Sequence, residues 1–285
     1  MDKFGRNYIL KVETDSGNIE ITLPFTLNFS VDRNIMSNAN TSKITILNLS
    51  ENIRKQIYKD SYDTLKYKGI ELRAGYGDKK EDLPIIFKGN IKQAYSERVG
   101  TEYETRIEAY DGGFAFLNGY TDVAFSSGTP QNQVLDRIIA DLPNVNKGII
   151  GGLTDTLPRG NSYSGNSCQL LDSLTNGHFF IDNEKAYCLL DDECIEGNIQ
   201  VITSASGLLG SPLREDTFLT FRTLFEPRLL IGQIIELNSQ TENNFNGQYK
   251  VVGFKHNGII SSAVSGTCIT TVSLYFGTEQ LKVLK

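Results

Sequence analysis

The 285-residue chain contains no tryptophan and only two histidines, His178 and His256, far apart in sequence. Its four cysteines, Cys168, Cys188, Cys194 and Cys268, form no Cys-x-x-Cys pair. A structural zinc site needs ligands clustered more closely than these, so the thiols read as buried and reduced. No stretch approaches the roughly 20 consecutive apolar residues of a membrane span. The opening MDKFGRNYILKVETDSGN is polar and alternates like a strand, unlike the apolar core of a signal peptide. Folding in a cytoplasm, without a membrane anchor, is therefore expected. A basic surplus is missing too: 28 Lys and Arg stand against 34 Asp and Glu, a net charge of −6. A general nucleic-acid binder draws its affinity from a basic footprint that displaces counterions, so no sequence-specific nucleic-acid partner is expected.

Signatures of catalysis are equally thin. GYGDKK, from Gly75 to Lys80, has no Lys-Ser/Thr and reads as a turn between strands. GIIGG, from Gly148 to Gly152, reads as a Gly/Asn loop. No Gly-x-Ser-x-Gly elbow occurs, and His256 stands beside Asn257-Gly258, a dipeptide typical of hairpin turns. The acidic groups Asp191-Asp192-Glu193 and Glu215-Asp216 lie in polar surroundings, where adjacent carboxylates are ordinarily solvated charges. No catalytic residue, metal ligand or cofactor is assigned.

What the chain does have is β character. NYILKVET, GNIEITLPFTLNFSVDRN and SKITILNLS are rich in β-branched and aromatic residues and are separated by Gly, Asn and Asp. Ser50 fits the N-cap of a short helix in SENIRKQIYKD. GIELRAGYG, IIFKGNIKQAYSE and YETRIEAYDG follow as further strands, alternating as antiparallel strands with one wet face do. The middle changes character. In TPQNQVLDRIIADLPN, Thr129 fits the N-cap, Pro130 the first turn and Pro143 the stop. Val134, Leu135, Ile138, Ile139 and Leu142 make one apolar stripe. SCQLLDSLTNG predicts a second helix ending at Gly177, and HFFIDNEKAYCLLD a hairpin turning at residues 182–185.

β character then returns with an echo of the beginning. The stretch from Gly69 through Tyr110-Asp111-Gly112 resembles the stretch from Gly232 through Tyr275-Phe276-Gly277, each passing from a strand through an acidic loop into two more strands. The expected fold is mainly β with a small α+β insert: two related antiparallel β-barrel domains, residues 1–113 and 198–285, flanking residues 114–197. In SGLLGSPLREDTFLTFRTLFEPRLLIGQIIEL, residues 206–237, SGLLGSP reads as the crossing into the second barrel and the rest as a strand apolar on both faces. Leu219, Phe221 and Phe225 lie on one face, Phe218 and Leu224 on the other. Such a strand must be covered twice, the second time by another subunit.

NTSKITILNLSENIRKQI, GIELRAGYG with IIFKGNI, YETRIEAYDGG and the 206–237 stretch together resemble the central baseplate hub family of contractile-tailed bacteriophages. In that family a strand ends in a Pro followed by a short gap and a Gly, here Pro227 and Gly232, before FNGQYKVVGFKHNG. The resemblance spans nearly the whole chain and rests on pattern, without one diagnostic motif. It implies a homotrimer whose six barrels ring a channel for the tape-measure protein and DNA, matching a sixfold tail tube to a threefold spike. Its implied partners are the tail tube or tube-initiator protein, the spike protein, the tape-measure protein and the inner baseplate proteins. The implied location is the virion tail baseplate, assembled in the host cytoplasm. The chain departs from larger members in lacking an extra segment for a lysozyme or spike. Phe218, Phe221, Phe225, Pro227 and Gly232 become candidate interface residues. Two alternatives stay open at this point: a tail-associated cell-wall or polysaccharide-degrading enzyme, and a carbohydrate-binding β module. With 13 Tyr and 15 Phe but no Trp, the chain lacks the residue that sugar platforms use most.

Overall fold

The computed structural model describes residues 5–36, 38–77, 80–152, 155–277 and 280–284. Among the described residues the chain is mainly β, with four short α-helices. The first part comprises β1 (Arg6–Thr14), β2 (Gly17–Thr22), β3 (Leu27–Asn34), β4 (Thr41–Leu47), α1 (Glu51–Ile57), β5 (Gly69–Tyr76), β6 (Ile85–Val99) and β7 (Glu102–Tyr110). The middle comprises α2 (Gly113–Asn118), β8 (Tyr120–Phe125), α3 (Gln131–Ile139), β9 (Asn146–Ile150), β10 (Asn161–Asn166), α4 (Ser167–Leu174), β11 (Phe179–Asp182) and β12 (Lys185–Cys188). The last part comprises β13 (Glu193–Thr203), β14 (Leu208–Glu215), β15 (Phe218–Leu224), β16 (Gln233–Asn238), β17 (Gly247–Ile260), β18 (Cys268–Tyr275) and β19 (Lys282–Leu284).

The first and last parts share one 14-stranded sheet, in the order β14-β15-β18-β17-β3-β4-β7-β6-β5-β1-β2, with β16, β13 and β19 branching from β17. Two runs within it have the same connectivity: β3-β4-β7-β6-β5 and β14-β15-β18-β17-β16. The match reaches individual residues. β4 and β15 are each seven residues long, and their burial alternates in phase, with Ser42, Ile44 and Ile46 inside one and Leu219, Phe221 and Thr223 inside the other. Tyr110 faces Asn90 across β6 and β7, and Tyr275 faces Lys250 across β17 and β18. One step beyond Ile91 and Val251 both ladders slip by a residue, Lys92 in one and Val252 in the other. An extra residue bends and twists a strand, so a bulge at the same step gives both long strands the same turn.

The sequence echo therefore has a structural counterpart, with one correction. Gly69 pairs with Asn90 while Ile234 pairs with Lys250, so Gly69 corresponds to Ile234 and lies two positions out of step with Gly232. The repeat stops beyond β5 and β16. β1 pairs antiparallel to β5, whereas β13 pairs parallel to β16. β13 also runs unbroken through positions 197 and 198, where a boundary was expected.

Three apolar clusters fill the molecule. One gathers side chains from β1 through β7, a second those of β13 through β18, and a third the middle helices with β11 and β12. α3 starts one residue later than its sequence suggested: Pro130 is the N-cap, and the Thr129 hydroxyl donates to the Ser126 carbonyl at 2.9 Å instead. Its stripe is buried as expected, with Val134, Leu135 and Ile138 at 0% exposure. α4 is capped by the Asn166 side chain, which accepts from Gln169 N–H at 3.1 Å. Ser50 caps α1 by accepting from Ile53 N–H at 3.4 Å.

Three loops expected from sequence are strands. Gly148 to Ile150 belong to β9, which pairs with β12. SGLLGSP enters β14, so the 206–224 region is a hairpin that turns at Asp216-Thr217. Asn257-Gly258 lie inside β17, opposite Ser30 and Phe29. There the glycine serves close packing: a Cβ at 258 would stand 2.0 Å from the Cys268 sulfur and 3.1 Å from the Phe29 ring. All four cysteines are buried and free.

Ile138 has no exposed surface, and its truncation leaves a cavity in the third cluster. Ile138→Ala is expected to lower stability by about 2–5 kcal/mol in urea denaturation. A loss under about 0.5 kcal/mol, typical of surface positions, would contradict this packing.

Candidate functional site: the seam between the two β halves

The halves meet where β3 pairs antiparallel with the second part of β17, from Gly253 opposite Asn34 to Ile260 opposite Leu27. The same β17 uses its first part, Gly247 to Lys250, to pair with β16. Inside the seam, Val31 stands opposite His256, and the fully buried Phe225 packs edge-on against Phe29 and His256, with centroids at 5.8 and 5.2 Å. The Tyr76 hydroxyl donates to the Phe225 carbonyl at 3.0 Å, and Arg6 donates to the Gly266 carbonyl at 2.7 Å.

Arg33 closes one end of the seam. It is buried, stands opposite Phe254 in the ladder and lies over that ring at 4.9 Å. Its guanidinium forks onto Asp182 of the middle hairpin, with Nε at 2.8 Å from Oδ1 and Nη2 on Oδ2, and donates through Nη1 to the Ile86 carbonyl at 3.2 Å. Asn40 reinforces the dock by donating to the Ile181 carbonyl at 3.0 Å. Bidentate geometry offsets the desolvation of both charges; stranding one costs about 3–5 kcal/mol in such pairs.

The hairpin tip is held as firmly. Asn183 and Glu184 both have positive φ, 49° and 58°, as a two-residue primed turn between paired strands demands. Neither is the usual glycine, and the strain is offset by docking. Asp111 accepts both backbone N–H groups, that of Glu184 at 2.8 Å, while the Glu184 carboxylate takes the Tyr67 hydroxyl and Lys88, the latter at 2.9 Å. Burial, then the neighbouring Asp182 charge, pushes the Asp111 carboxyl above its usual range.

Among the sequence-selected residues, Phe221 and Phe225 are 2% and 0% exposed within the chain's own cores, and Pro227 is buried. Phe218 is 41% exposed, as is Leu224 at 39% on the same face. Gly232 has φ +80°, and a Cβ there would meet Leu189 at 2.7 Å, so only glycine fits. Phe218 also lines an open groove of about 580 Å³ shared by His178, Asp191, Glu215, Phe254 and Lys255. His178 Nδ1 lies 3.9 Å from Asp191. The sequence reading missed this convergence and missed Arg33; the length of β17 was the available signal for a strand serving two partners.

No family model matches the chain, and no curated protein matches its sequence. Solved structures do. A tail protein from Neisseria meningitidis MC58 superposes with TM-score 0.60 at 10% identity, over 95% of this chain and 97% of that one. The 43 kDa tail protein of prophage MuSo2 from Shewanella oneidensis gives TM-score 0.60 at 6% identity, over 93% and 96%. The E. coli c3393 protein gives TM-score 0.61 at 9% identity, over 90% and 75%. It is described as a type VI secretion component with structural similarity to the T4 bacteriophage tail proteins gp27 and gp5. The chain thus has the fold of these solved tail proteins.

His256 makes the seam sensitive to acid. Its Nδ1 sits 2.8 Å from the Thr270 hydroxyl, and Nε2 has no hydrogen-bond partner among the described residues. Burial, with Arg33 nearby, pushes the imidazole down to about 3. The unfolded chain gains this proton below its ordinary value of 6.5 while the folded chain resists it. The contribution is therefore full above pH 6.5 and is lost as pH falls toward about 3. Asp111, raised by burial, has the opposite slope, so the comparison must be with a variant. Between pH 6.5 and 4.5 the parent should lose about 2–3 kcal/mol more than His256→Asn in urea denaturation. Parallel pH profiles would contradict the burial of a neutral imidazole.

Proposed function

We propose that this chain is a structural protein of a phage-type tail, the central hub of a baseplate, working as a homotrimeric ring. The observation that carries the reading is the five-strand unit that occurs twice in one chain, joined edge to edge, in a chain with a tail-protein fold. Three chains then supply six similar units, which face a sixfold tube on one side and a threefold spike on the other. The ring holds the spike and leaves a lumen for the tape-measure protein and DNA. Tube or tube-initiator protein, spike, tape measure and inner baseplate proteins are its partners, and it is assembled in the host cytoplasm into the virion baseplate. The acidic balance of the chain suits a lumen that DNA passes without sticking. Phe218, with Leu224 beside it, meets a neighbouring chain, while Phe221, Phe225, Pro227 and Gly232 serve the chain's own fold.

Light scattering, with and without the spike protein, tests the ring. The expected mass is that of three chains. A stable monomer even with the spike bound would refute it.

The groove carrying His178, Asp191 and Glu215 supports a second reading, a cell-wall hydrolase, and separates it by experiment. The hub reading expects no cleared band in zymography on host peptidoglycan. A band that disappears with Asp191→Asn or Glu215→Gln would favour the enzyme.

A further inference from the structure

The outer face of the seam carries a trough. The open groove of about 580 Å³ beside His178 and a second hollow of about 540 Å³ share Thr271. Their common floor is every second residue of two paired strands. Gly253, Lys255 and Asn257 of β17 face Ser273, Thr271 and Ile269 of β18, and the floor runs on to Ile259. From Gly253 to Ile259 is six steps (259 − 253) of extended chain, about 20 Å.

Charge is ordered along this length. In the middle, Lys255 and Asp32 face each other in the ladder as an exposed pair at 3.7 Å and largely cancel. Lys43 and Arg222 line the hollow at one end, with no carboxylate among the described residues around it. Lys43 stands opposite Glu108 in the β4–β7 ladder but makes no ion pair among the described residues, and neither does Arg222. At the other end the lining carries Asp191 and Glu215, together with Met36 at 59% exposure. The trough thus has a cationic end and an anionic, partly apolar end.

The floor strands lie inside the sheet. β18 is hydrogen-bonded to β15 and β17, and this part of β17 to β18 and β3, so no backbone edge is free for an added strand. An occupant must be held by its side chains. We propose that the trough receives an extended segment of a partner protein, about six residues long, acidic at one end and basic beside an apolar residue at the other. The acidic side chain meets Lys43 and Arg222, the basic one meets Asp191 and Glu215, and the apolar one meets Met36. Opposite charges at the two ends fix the direction of the segment and reject a uniformly charged one. A polynucleotide would be repelled at the anionic end, and a neutral glycan would leave both ends unmatched. The proposal goes beyond the ring reading and does not depend on it.

The test is fluorescence anisotropy with the full-length chain at low salt. The probe is a labelled hexapeptide with leucine and arginine at one end, glutamate at the other, and glycine and serine between. Saturable binding is expected, at least tenfold tighter than for the same peptide with citrulline and glutamine in place of its charged residues. Lys43, Asp191, Glu215 and Arg222 are all exposed, so substitutions there spare the core. Asp191→Lys with Glu215→Lys should weaken the probe at least tenfold without altering the far-ultraviolet circular dichroism. The same double variant should bind a peptide with glutamate at both ends at least tenfold better than the parent does. Lys43→Glu with Arg222→Glu should do likewise for a peptide with arginine at both ends. Absence of saturable binding, equal binding of the uncharged peptide, or variants that behave like the parent would overturn the proposal. Displacement of the probe by a chitin oligosaccharide or single-stranded DNA, at tenfold lower concentration than by unlabelled peptide, would overturn it in favour of that occupant. A three-chain particle that does not bind the probe overturns the docking and leaves the ring intact. A monomer that binds it supports the docking and overturns the ring.

Discussion

The pairing of β3 with β17 is the constraint on which the rest of the molecule depends. Without it the chain would be two small sheets joined by an insert, free to move as domains with modest interfaces do. With it, both halves belong to one hydrogen-bonded sheet, and their relative orientation is set by strand geometry. Arg33 fixes the third body at the same place. It reaches the second half through the face of Phe254, the insert through Asp182 and the first half through the Ile86 carbonyl. One buried cation thus ties the three clusters at a corner where none could shift alone.

The repeat explains why a fold can outlast its sequence. What the two halves keep is geometric: connectivity, a seven-residue strand, a tyrosine in register and a bulge two steps beyond it. Each can be met by many side chains, and Asn90 and Lys250 hold equivalent places without chemical likeness. The same tolerance lets solved tail proteins superpose over more than nine-tenths of the chain at 10% identity and below.

Much of this was legible in the sequence. Helix α3 and its stripe, the hairpin at Asn183-Glu184 and the echo ending at Tyr110 and Tyr275 follow from periodicity and turn chemistry, which act locally. What was not legible depends on partners distant in sequence. Asn257-Gly258 reads as a turn until Phe29 and Cys268 are seen to need the space a side chain would fill. Phe221 and Phe225 look like interface residues until the second half's own core covers the one and the seam the other. Asp191 and Glu215 read as separate solvated turns, because nothing local announces that they line one groove.

The central claim is that six similar units, two from each chain, close around a channel. An averaged electron-microscope image of the purified assembly, viewed down its axis, tests that claim most directly. The account predicts a threefold ring with six β lobes about an open lumen. A closed particle with lobes in any other number, or a compact single chain without a lumen, would contradict it.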